Sequence, residues 1–298
     1  MGTFIAIANS ILTTLSRGIR GFSGLLDEYG GAAAAYSVRR LSSTYEGALI
    51  RVREDSGDTE ADIGFDANGD LDTTALLAHC GSNNGYVVTW YDQSGNSNDA
   101  TQTTTSNQPQ IVSSGNILVI NSKPSIKFDG SGDNLDISTP IDGNFDFTAI
   151  HVLNRVSTSN KVLGFAGTTI NHPYSPFYFT DNKTYLRWDE GFISGSNAVT
   201  GQRLSLGIAT NGNGEIRDNG VEIVNTSPSV NSQNLSFNKV GQRNIDFSNA
   251  SSQELILWRL DYTSDKLDIE SNINTYFSIY SPPSGIGNWA IGTTFVIQ

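Results

Sequence analysis

The chain has 298 residues, of which 37% are hydrophobic and 16% are charged, and its net charge is −12 at pH 7. This hydrophobic content is enough to build a core, which argues against an intrinsically disordered chain. The acidic balance excludes nucleic-acid binding through a basic surface. No run of eighteen apolar residues occurs, so we predict no membrane span.

The first 24 residues predict an arm that precedes the main domain. Ile11, Leu12, Leu15, Ile19 and Phe22 recur at helical spacing and form a short apolar stripe. A helix this short is marginal alone, so we expect it to pack either on the domain or on a neighbouring subunit.

Residues 28–78 predict mixed elements, with a helical or strand-like entry at 32–41, strands at 48–53 and 63–65, and one or two helical turns at 73–79. From residue 85 onward, short β-branched and aromatic runs alternate with turns rich in Gly and Asn, which is typical of a two-sheet sandwich. Asn219-Gly220 predicts a type I′ hairpin turn. The predicted strands are 85–91, 109–112, 117–120, 124–129, 146–154, 161–166, 176–180, 184–188, 204–210, 214–218, 221–225, 234–240 and 254–260.

The last part of the chain predicts a helix, a linker and an extended tail. Residues 264–280 follow a helical pattern that Thr263 or Ser264 could cap, with Ile269, Ile273, Tyr276 and Phe277 on one face. Residues 281–285 form a Pro/Gly breaker. Apolar residues alternate from 289 to 297, which predicts a strand that completes its own sheet or adds to a neighbour's.

Three segments carry a resemblance to a known family. They are Leu26–Ser37, Ile50–Arg53 and Gly85–Asn96, the last being a strand that enters the turn Asp92-Gln93-Ser94-Gly95. Together they resemble the catalytic domain of arabinofuranosidase B-type glycosidases, a concanavalin A-like jelly roll. Related segments occur in phage virion proteins with laminin G-like folds, and Phe128–Leu135 looks like the strand-turn signature of such domains.

The resemblance implies an all-β fold, a concanavalin A-like jelly-roll sandwich over residues 25–280. The N-terminal arm (1–24) would precede it, and the C-terminal helix would end it. The linker and extended strand (281–298) would follow. Cys80 is the only cysteine, so no intrachain disulfide can form, and we expect a buried thiol in a protein made in a reducing cytoplasm.

Glycosidases need two carboxylates that face one sugar. In the resembling enzymes the nucleophile is a Glu that precedes an aromatic-Ser-Gly turn, and the nearest match here, residues 187–195, offers Glu190 or Asp189. The family's general acid is an Asp, but its expected position reads Asn244, with Asp246 two residues further on. The adjacent cysteine pair that walls the family's sugar pocket has no counterpart.

Aromatic side chains around these acids are candidate sugar contacts. Trp188, His172, Tyr174 and Tyr178 belong to two aromatic segments, and an aromatic face matches the C–H face of a sugar ring. Packing within the sandwich is the alternative use of these side chains.

A second pattern suggests a cation. Asp66, Asn68, Asp70 and Asp72 place oxygen ligands at alternate positions around Gly69, as Ca²⁺ loops do. Position twelve, however, is Leu77 rather than a bidentate Glu, and a turn ahead of a helix gives the same pattern without metal. We expect no other cofactor.

The arm and the tail favour a phage virion structural protein, because a subunit needs anchoring and neighbour contacts. It would be a fibre, decoration or tail component that is made in the host cytoplasm and displayed on the virion surface. Its partners would be other virion proteins or copies of itself in a homo-oligomer, and its lectin-like sandwich would bind a host-surface polysaccharide. The alternatives are a glycoside hydrolase of the α-L-arabinofuranosidase type and a scaffold domain without ligand.

Overall fold

The computed structural model describes residues 22–143, 146–156, 162–167, 175–180, 183–188, 191–196, 200–210, 213–226 and 235–281. These residues form a mostly β fold with antiparallel strand pairing and a few helices. The helices are α1 (Leu25–Glu28), α2 (Thr73–Cys80), α3 (Lys266–Phe277) and a 3₁₀ turn at Thr105–Asn107. No helix among the described residues is long and apolar enough to cross a membrane.

The first ten strands come from the part of the chain that carries the resemblance. They are β1 (Ala32–Ser37), β2 (Ile50–Glu54), β3 (Glu60–Ile63), β4 (Gly85–Trp90), β5 (Ala100–Thr101), β6 (Gln110–Ser113), β7 (Asn116–Ile117), β8 (Val119–Ile120), β9 (Lys123–Pro124) and β10 (Ile126–Asp129). The entry at 32–41, predicted as either a helix or a strand, contains strand β1 over its first six residues.

The remaining strands include the longest of the fold, β18 and β24, each of ten residues. They are β11 (Leu135–Gly143), β12 (Phe147–Arg155), β13 (Val162–Leu163), β14 (Phe165–Ala166), β15 (Ser175–Thr180), β16 (Lys183–Trp188), β17 (Gly191–Ser196), β18 (Gly201–Thr210), β19 (Asn213–Asp218), β20 (Val221–Thr226), β21 (Leu235–Val240), β22 (Gln242–Arg243), β23 (Asp246–Phe247) and β24 (Asn249–Trp258). Asn219 and Gly220 both have positive φ, as the predicted type I′ turn requires.

Sixteen strands form one antiparallel sheet with the order β14-β21-β11-β5-β4-β6-β10-β24-β12-β18-β19-β20, to which β1, β2, β3 and β7 add as branches. The sheet curls onto itself, because rings from strands far apart in this order meet in one core. Phe147 on β12 packs against Phe237 on β21 with ring centroids 6.3 Å apart. A second sheet has the order β13-β15-β16-β17. The all-β prediction is confirmed at this level, and the jelly-roll connectivity stays a prediction.

The central strands are buried on both faces. Along β24, Leu255 and Leu257 enter the core inside the curled sheet, whereas Ile256 and Trp258 face a second apolar cluster. Helix α3 covers this second cluster with Ile269, Ile273 and Phe277, as the helical pattern predicted. Burial on both faces explains why β24 is an almost continuous apolar run at Leu255–Trp258.

Three details differ from the sequence-based expectation. The N-cap of α3 is Asp265 instead of Thr263 or Ser264. β11 was not predicted, because its Pro140 and acidic residues are unfavourable in a strand; a register irregularity between Asp136 and Ile141 accommodates that stretch. Residues 191–196, expected as a turn beside the catalytic Glu, form strand β17.

Candidate functional site

The turn at Asp92 that carried the resemblance fastens a loop onto β1. The Asp92 carboxylate accepts hydrogen bonds from the backbone N–H of Ala35 at 2.8 Å, of Ser94 at 2.9 Å and of Asn98 at 3.0 Å. It also accepts the hydroxyl of Ser94 at 2.7 Å. With Asp92 only 5% exposed, these bonds satisfy an anion that burial would otherwise penalise.

Gln93 completes this attachment. Its side-chain carbonyl accepts the Leu41 N–H at 2.8 Å, and its amide donates to the Arg39 carbonyl at 2.9 Å. Asn96 and Asn98 donate to the carbonyls of Ala32 and Ala33 on β1. These polar side chains therefore fasten the loop to β1 and to residues 39–41, and the hydrogen bonds of Asp92 serve the fold.

Asp246, the predicted general acid, lies in a small hairpin formed by β22 and β23. Arg243 pairs with Asp246 in the hairpin register, and its Nη2 donates to Asp246 Oδ2 at 3.0 Å. Asn244 and Ile245 form the turn, with Asn244 in the left-handed region at φ 54°. Ile245 is 90% exposed, so the tip of the hairpin projects into solvent.

The other predicted catalytic and sugar-contact residues belong to residues 172–190, the part of the sequence that contains strands β15 and β16. Asp189 and Glu190 come between β16 and β17 but lie outside the described residues, as do His172 and Tyr174. Trp188 ends β16 opposite Gly191, and Tyr178 on β15 lies opposite Tyr185. The described residues therefore position Asp246 and the backbone of two aromatic candidates, and the catalytic pair stays a prediction.

The four candidate Ca²⁺ ligands have separate partners. Asp66 accepts the N–H groups of Asn68 and Asp70, which closes a turn, and Asp72 caps α2 by accepting the N–H of Ala75 at 2.9 Å. Asp70 accepts from Tyr276 at 2.6 Å and from Lys123 at 3.1 Å. No three His, Cys, Asp or Glu side chains in the described part of the chain are grouped to hold a metal. The hydrogen bonds of this segment are those of a capping turn ahead of α2, and the Ca²⁺ site stays a prediction.

A polar cavity of about 390 Å³ lies at the amino end of β4, away from the Asp92 turn. Strand register builds its floor, because Arg53 on β2 lies opposite Tyr86 on β4, Tyr86 lies opposite Gln110 on β6, and Gln110 lies opposite Lys127 on β10. One row thus crosses four strands. The described residues that line it are Arg53, Asp55, Tyr86, Thr105, Ser106, Gln108, Gln110, Lys127, Asp129 and Asp133.

Two carboxyl groups of the Phe128–Leu135 turn line this cavity in contrasting environments. Asp129 is exposed; its limited desolvation raises its pKa, but hydrogen bonds from Ser131, Gly132 and Asp133 outweigh this and keep the pKa below the usual value. Asp133 is 7% exposed, and burial together with the neighbouring Asp129 charge raises its pKa to about 7. Asp133 accepts one hydrogen bond, from the Asp129 N–H at 2.9 Å.

No local pattern in the sequence reveals this cavity. The alternation of Arg51, Val52 and Arg53 shows that Arg53 faces away from the core, but it does not show what lies beside it. The row depends on pairing between strands that are distant in sequence. The only available signal was the Phe128–Leu135 turn, which was interpreted as a feature of the fold alone.

Two comparisons bear on the origin of this fold. Residues 29–126, about a third of the chain, match the family model described as alpha-L-arabinofuranosidase B, catalytic. This segment contains β1, β2, β4 and the Asp92 turn, and therefore includes most of the residues on which the resemblance was based. No curated protein matches the chain.

Solved arabinofuranosidases have a similar fold. A GH54 α-L-arabinofuranosidase soaked with a cyclic sulfate inhibitor superposes with a TM-score of 0.67 at 16% identity, covering 85% of this chain and 65% of its own. An arabinofuranosidase complexed with arabinofuranosyl-α-1,2-xylobiose superposes with a TM-score of 0.64 at 16% identity. The match covers 81% of this chain and 62% of that structure's chain. The chain thus spans less than two thirds of these structures, and at this identity the likeness concerns the fold.

Proposed function

We propose that this protein is a carbohydrate-active domain that hydrolyses α-L-arabinofuranosyl linkages. One observation carries the proposal: the arabinofuranosidase family model and the GH54 structures point to the same fold independently of each other. The model matches the segment that carries the resemblance, and the structural likeness extends over 85% of the chain. This favours the hydrolase over the virion lectin as the first candidate.

The chemistry would need a nucleophile and an acid on opposite sides of one glycosidic bond. We assign the nucleophile to Glu190, with Asp189 as its alternative, and the general acid to Asp246. Trp188 and Tyr178 would supply aromatic surface for the furanose, with His172 and Tyr174 beside them. The Arg243–Asp246 pair would hold the acid in one orientation within its hairpin.

The test is release of nitrophenol from 4-nitrophenyl α-L-arabinofuranoside by the purified chain. Glu190→Gln and Asp246→Asn should each lower kcat by about 10²–10⁴-fold, because each removes one partner of an acid–base pair. Asp142→Asn is the matched control, since Asp142 is an exposed acid on β11. A native chain that releases no nitrophenol would contradict the proposal, as would an Asp246→Asn variant with full activity.

A second candidate function rests on Asn244. A carboxamide stands where the resemblance places the general acid, and the nearest acid, Asp246, is already paired with Arg243. Without a proton donor the same fold would bind a glycan and not cleave it. In that case we propose a virion-surface structural protein that forms homo-oligomers and recognises a host-surface polysaccharide.

Sedimentation velocity distinguishes this second candidate. Deletion of residues 286–298 should lower the sedimentation coefficient of an oligomer while the far-UV circular dichroism of the domain is retained. A full-length chain that sediments as a monomer would count against the virion assembly, whatever the outcome of the hydrolysis assay.

A further inference from the structure

The cavity at the amino end of β4 has a rigid floor. The Arg53 guanidinium lies 5.1 Å from the Tyr86 ring centroid, its Nε donates to Gln108 Oε1 at 2.8 Å, and its Nη1 donates to Asp58 at 2.5 Å. Gln108 is held in turn by its amide, which donates to the Gln102 carbonyl at 2.9 Å. A ligand would therefore meet a preorganised surface, which reduces the entropy lost on binding.

The opposite faces of the same strands explain this rigidity. Val52 lies opposite Val87, and both are fully buried in the core inside the curled sheet. Ile126 and Phe128 on β10 are buried on either side of Lys127. The alternation fixes the polar row on the outer face, because a strand cannot turn one side chain outward without the next pointing inward.

Several groups around the floor keep unused hydrogen-bonding capacity. The Lys127 ammonium is exposed and has no hydrogen bond to any described residue. Asp133 is 93% buried and lines the cavity, yet within the described ranges its Oδ1 has no hydrogen-bond partner. The side-chain carbonyl of Gln110 is also open, since only its amide group donates, to Asn84 and Val112. All three groups line the open cavity, where a bound ligand or ordered water can use their free donors and acceptors.

The lining selects against most ligand classes. Three carboxylic acids (Asp55, Asp129 and Asp133) oppose a phosphate or another strong anion, and Arg53 and Lys127 oppose a metal cation. Among the described lining residues Tyr86 alone is aromatic, so an apolar ligand would leave many polar groups unsatisfied. A neutral molecule with many hydroxyl groups satisfies both the donors and the acceptors.

We propose that this cavity is a binding site for a neutral saccharide unit, formed by the Arg53–Tyr86–Gln110–Lys127 row and closed on one side by Asp133. The volume of about 390 Å³ falls within the usual range of small-molecule sites, roughly 300–1,000 Å³. Asp246, the one predicted catalytic residue that the structure describes, does not line this cavity. It would hold one part of a polysaccharide while another part is bound elsewhere on the domain.

The test follows Tyr86 directly in the full-length chain labelled with 3-fluorotyrosine. Eleven tyrosines give the fluorine spectrum, and the resonance missing from Tyr86→Phe identifies Tyr86. We expect arabinofuranosyl-α-1,2-xylobiose or cellobiose to shift this resonance saturably below about 10 mM. Tyr91, at the other end of β4 and assigned in the same way, serves as the reference that should not move.

Three variants and inorganic phosphate, used as an alternative ligand, test whether the shift of the Tyr86 resonance reports saccharide binding in this cavity. Lys127→Ala should raise the apparent Kd by about five- to tenfold, because a charged hydrogen bond is lost. Lys183→Ala, an exposed lysine on β16, is the matched control and should leave the Kd unchanged. The Tyr86 shift should persist in Glu190→Gln, which separates this site from the proposed hydrolysis. A Tyr86 resonance that neither saccharide moves, or that inorganic phosphate alone moves, would overturn the proposal.

Discussion

At the carboxyl end of β4 the carboxylate of Asp92 accepts four hydrogen bonds from its own chain, whereas beside the amino end Asp133 accepts one. Both acids are buried, and both belong to turns that the sequence made conspicuous. The bonds at Asp92 stabilise the fold. The second carboxylate oxygen of Asp133 makes no such stabilising bond. It lines the cavity, where a ligand can use it as an acceptor. The number of hydrogen bonds that a buried carboxylate accepts from its own chain thus distinguishes a structural acid from a candidate binding residue.

Asp92→Ala gives the sharpest test of the structural end. Three backbone N–H groups and one hydroxyl would lose their acceptor in a buried loop, so we expect a loss of about 3–5 kcal/mol in the free energy of unfolding. Urea denaturation at neutral pH measures this change. Asp142→Ala, in which an exposed acid is removed, should cost less than about 0.5 kcal/mol. Equal losses in Asp92→Ala and Asp142→Ala would show that the hydrogen bonds of Asp92 do not stabilise the fold.

Asp133→Asn tests the amino end of β4. Here we expect the free energy of unfolding to increase, whereas Asp92→Ala should lower it. The folded-state pKa of about 7 lies above the ordinary value of 3.8, so ionising Asp133 destabilises the folded state. The cost is absent below about pH 4, grows as the pH rises toward 7 and is constant above that. The charged groups that face Asp133 in the cavity are Asp129, Lys127, Arg53 and Asp55.

The amide keeps an acceptor for the Asp129 N–H but cannot ionise. We therefore expect Asp133→Asn to be more stable than the native chain at pH 8, on the order of 1–3 kcal/mol, and equal to it at pH 4. Urea titrations at both pH values measure this difference. A stabilisation that does not change with pH would show that burial of the charge is not its cause.

Asp62→Ala should have the smallest effect. Asp62 accepts two hydrogen bonds from Arg51 at 2.8 Å and one from Tyr91 at 2.7 Å, but the ion pair is exposed to solvent. Exposed pairs of this kind contribute about 0–1 kcal/mol, and salt screens them. We expect this small loss in the free energy of unfolding to become smaller still in 1 M NaCl. The larger loss in Asp92→Ala should be unchanged by salt. Thermal unfolding at two salt concentrations is sufficient.

The sequence predicted what is encoded locally. β4, the β19–β20 hairpin and α3 each follow from a short pattern: alternation, an Asn-Gly turn and a helical apolar stripe. It did not predict β11. Pro140 disfavours a strand locally, but hydrogen bonding to β21 and β5 forms one nevertheless. The cavity was out of reach for the same reason. Arg53 and Lys127 share one face only because β2, β4, β6 and β10 lie side by side.

The resemblance gave the correct fold relationship but could not assign a role to each of its residues. Asp92 and Gln93 are the most conspicuous polar residues of the matched segment, and both are held by hydrogen bonds to β1 and its neighbours. The candidate catalytic acids lie outside the 29–126 match. Similarity over the first part of the chain therefore supports the scaffold, and activity has to be tested at Glu190 and Asp246.

The pairing of β1 with β24 has a consequence for how the protein is made. Tyr36 lies opposite Leu255, so the strand nearest the start of the described chain finds its partner more than two hundred residues later. Contacts so distant in sequence slow folding, because the intervening chain must be ordered before they form. The nascent chain would carry β1 unpaired until residue 258 has left the ribosome. Until then the unfinished sheet would need protection from aggregation.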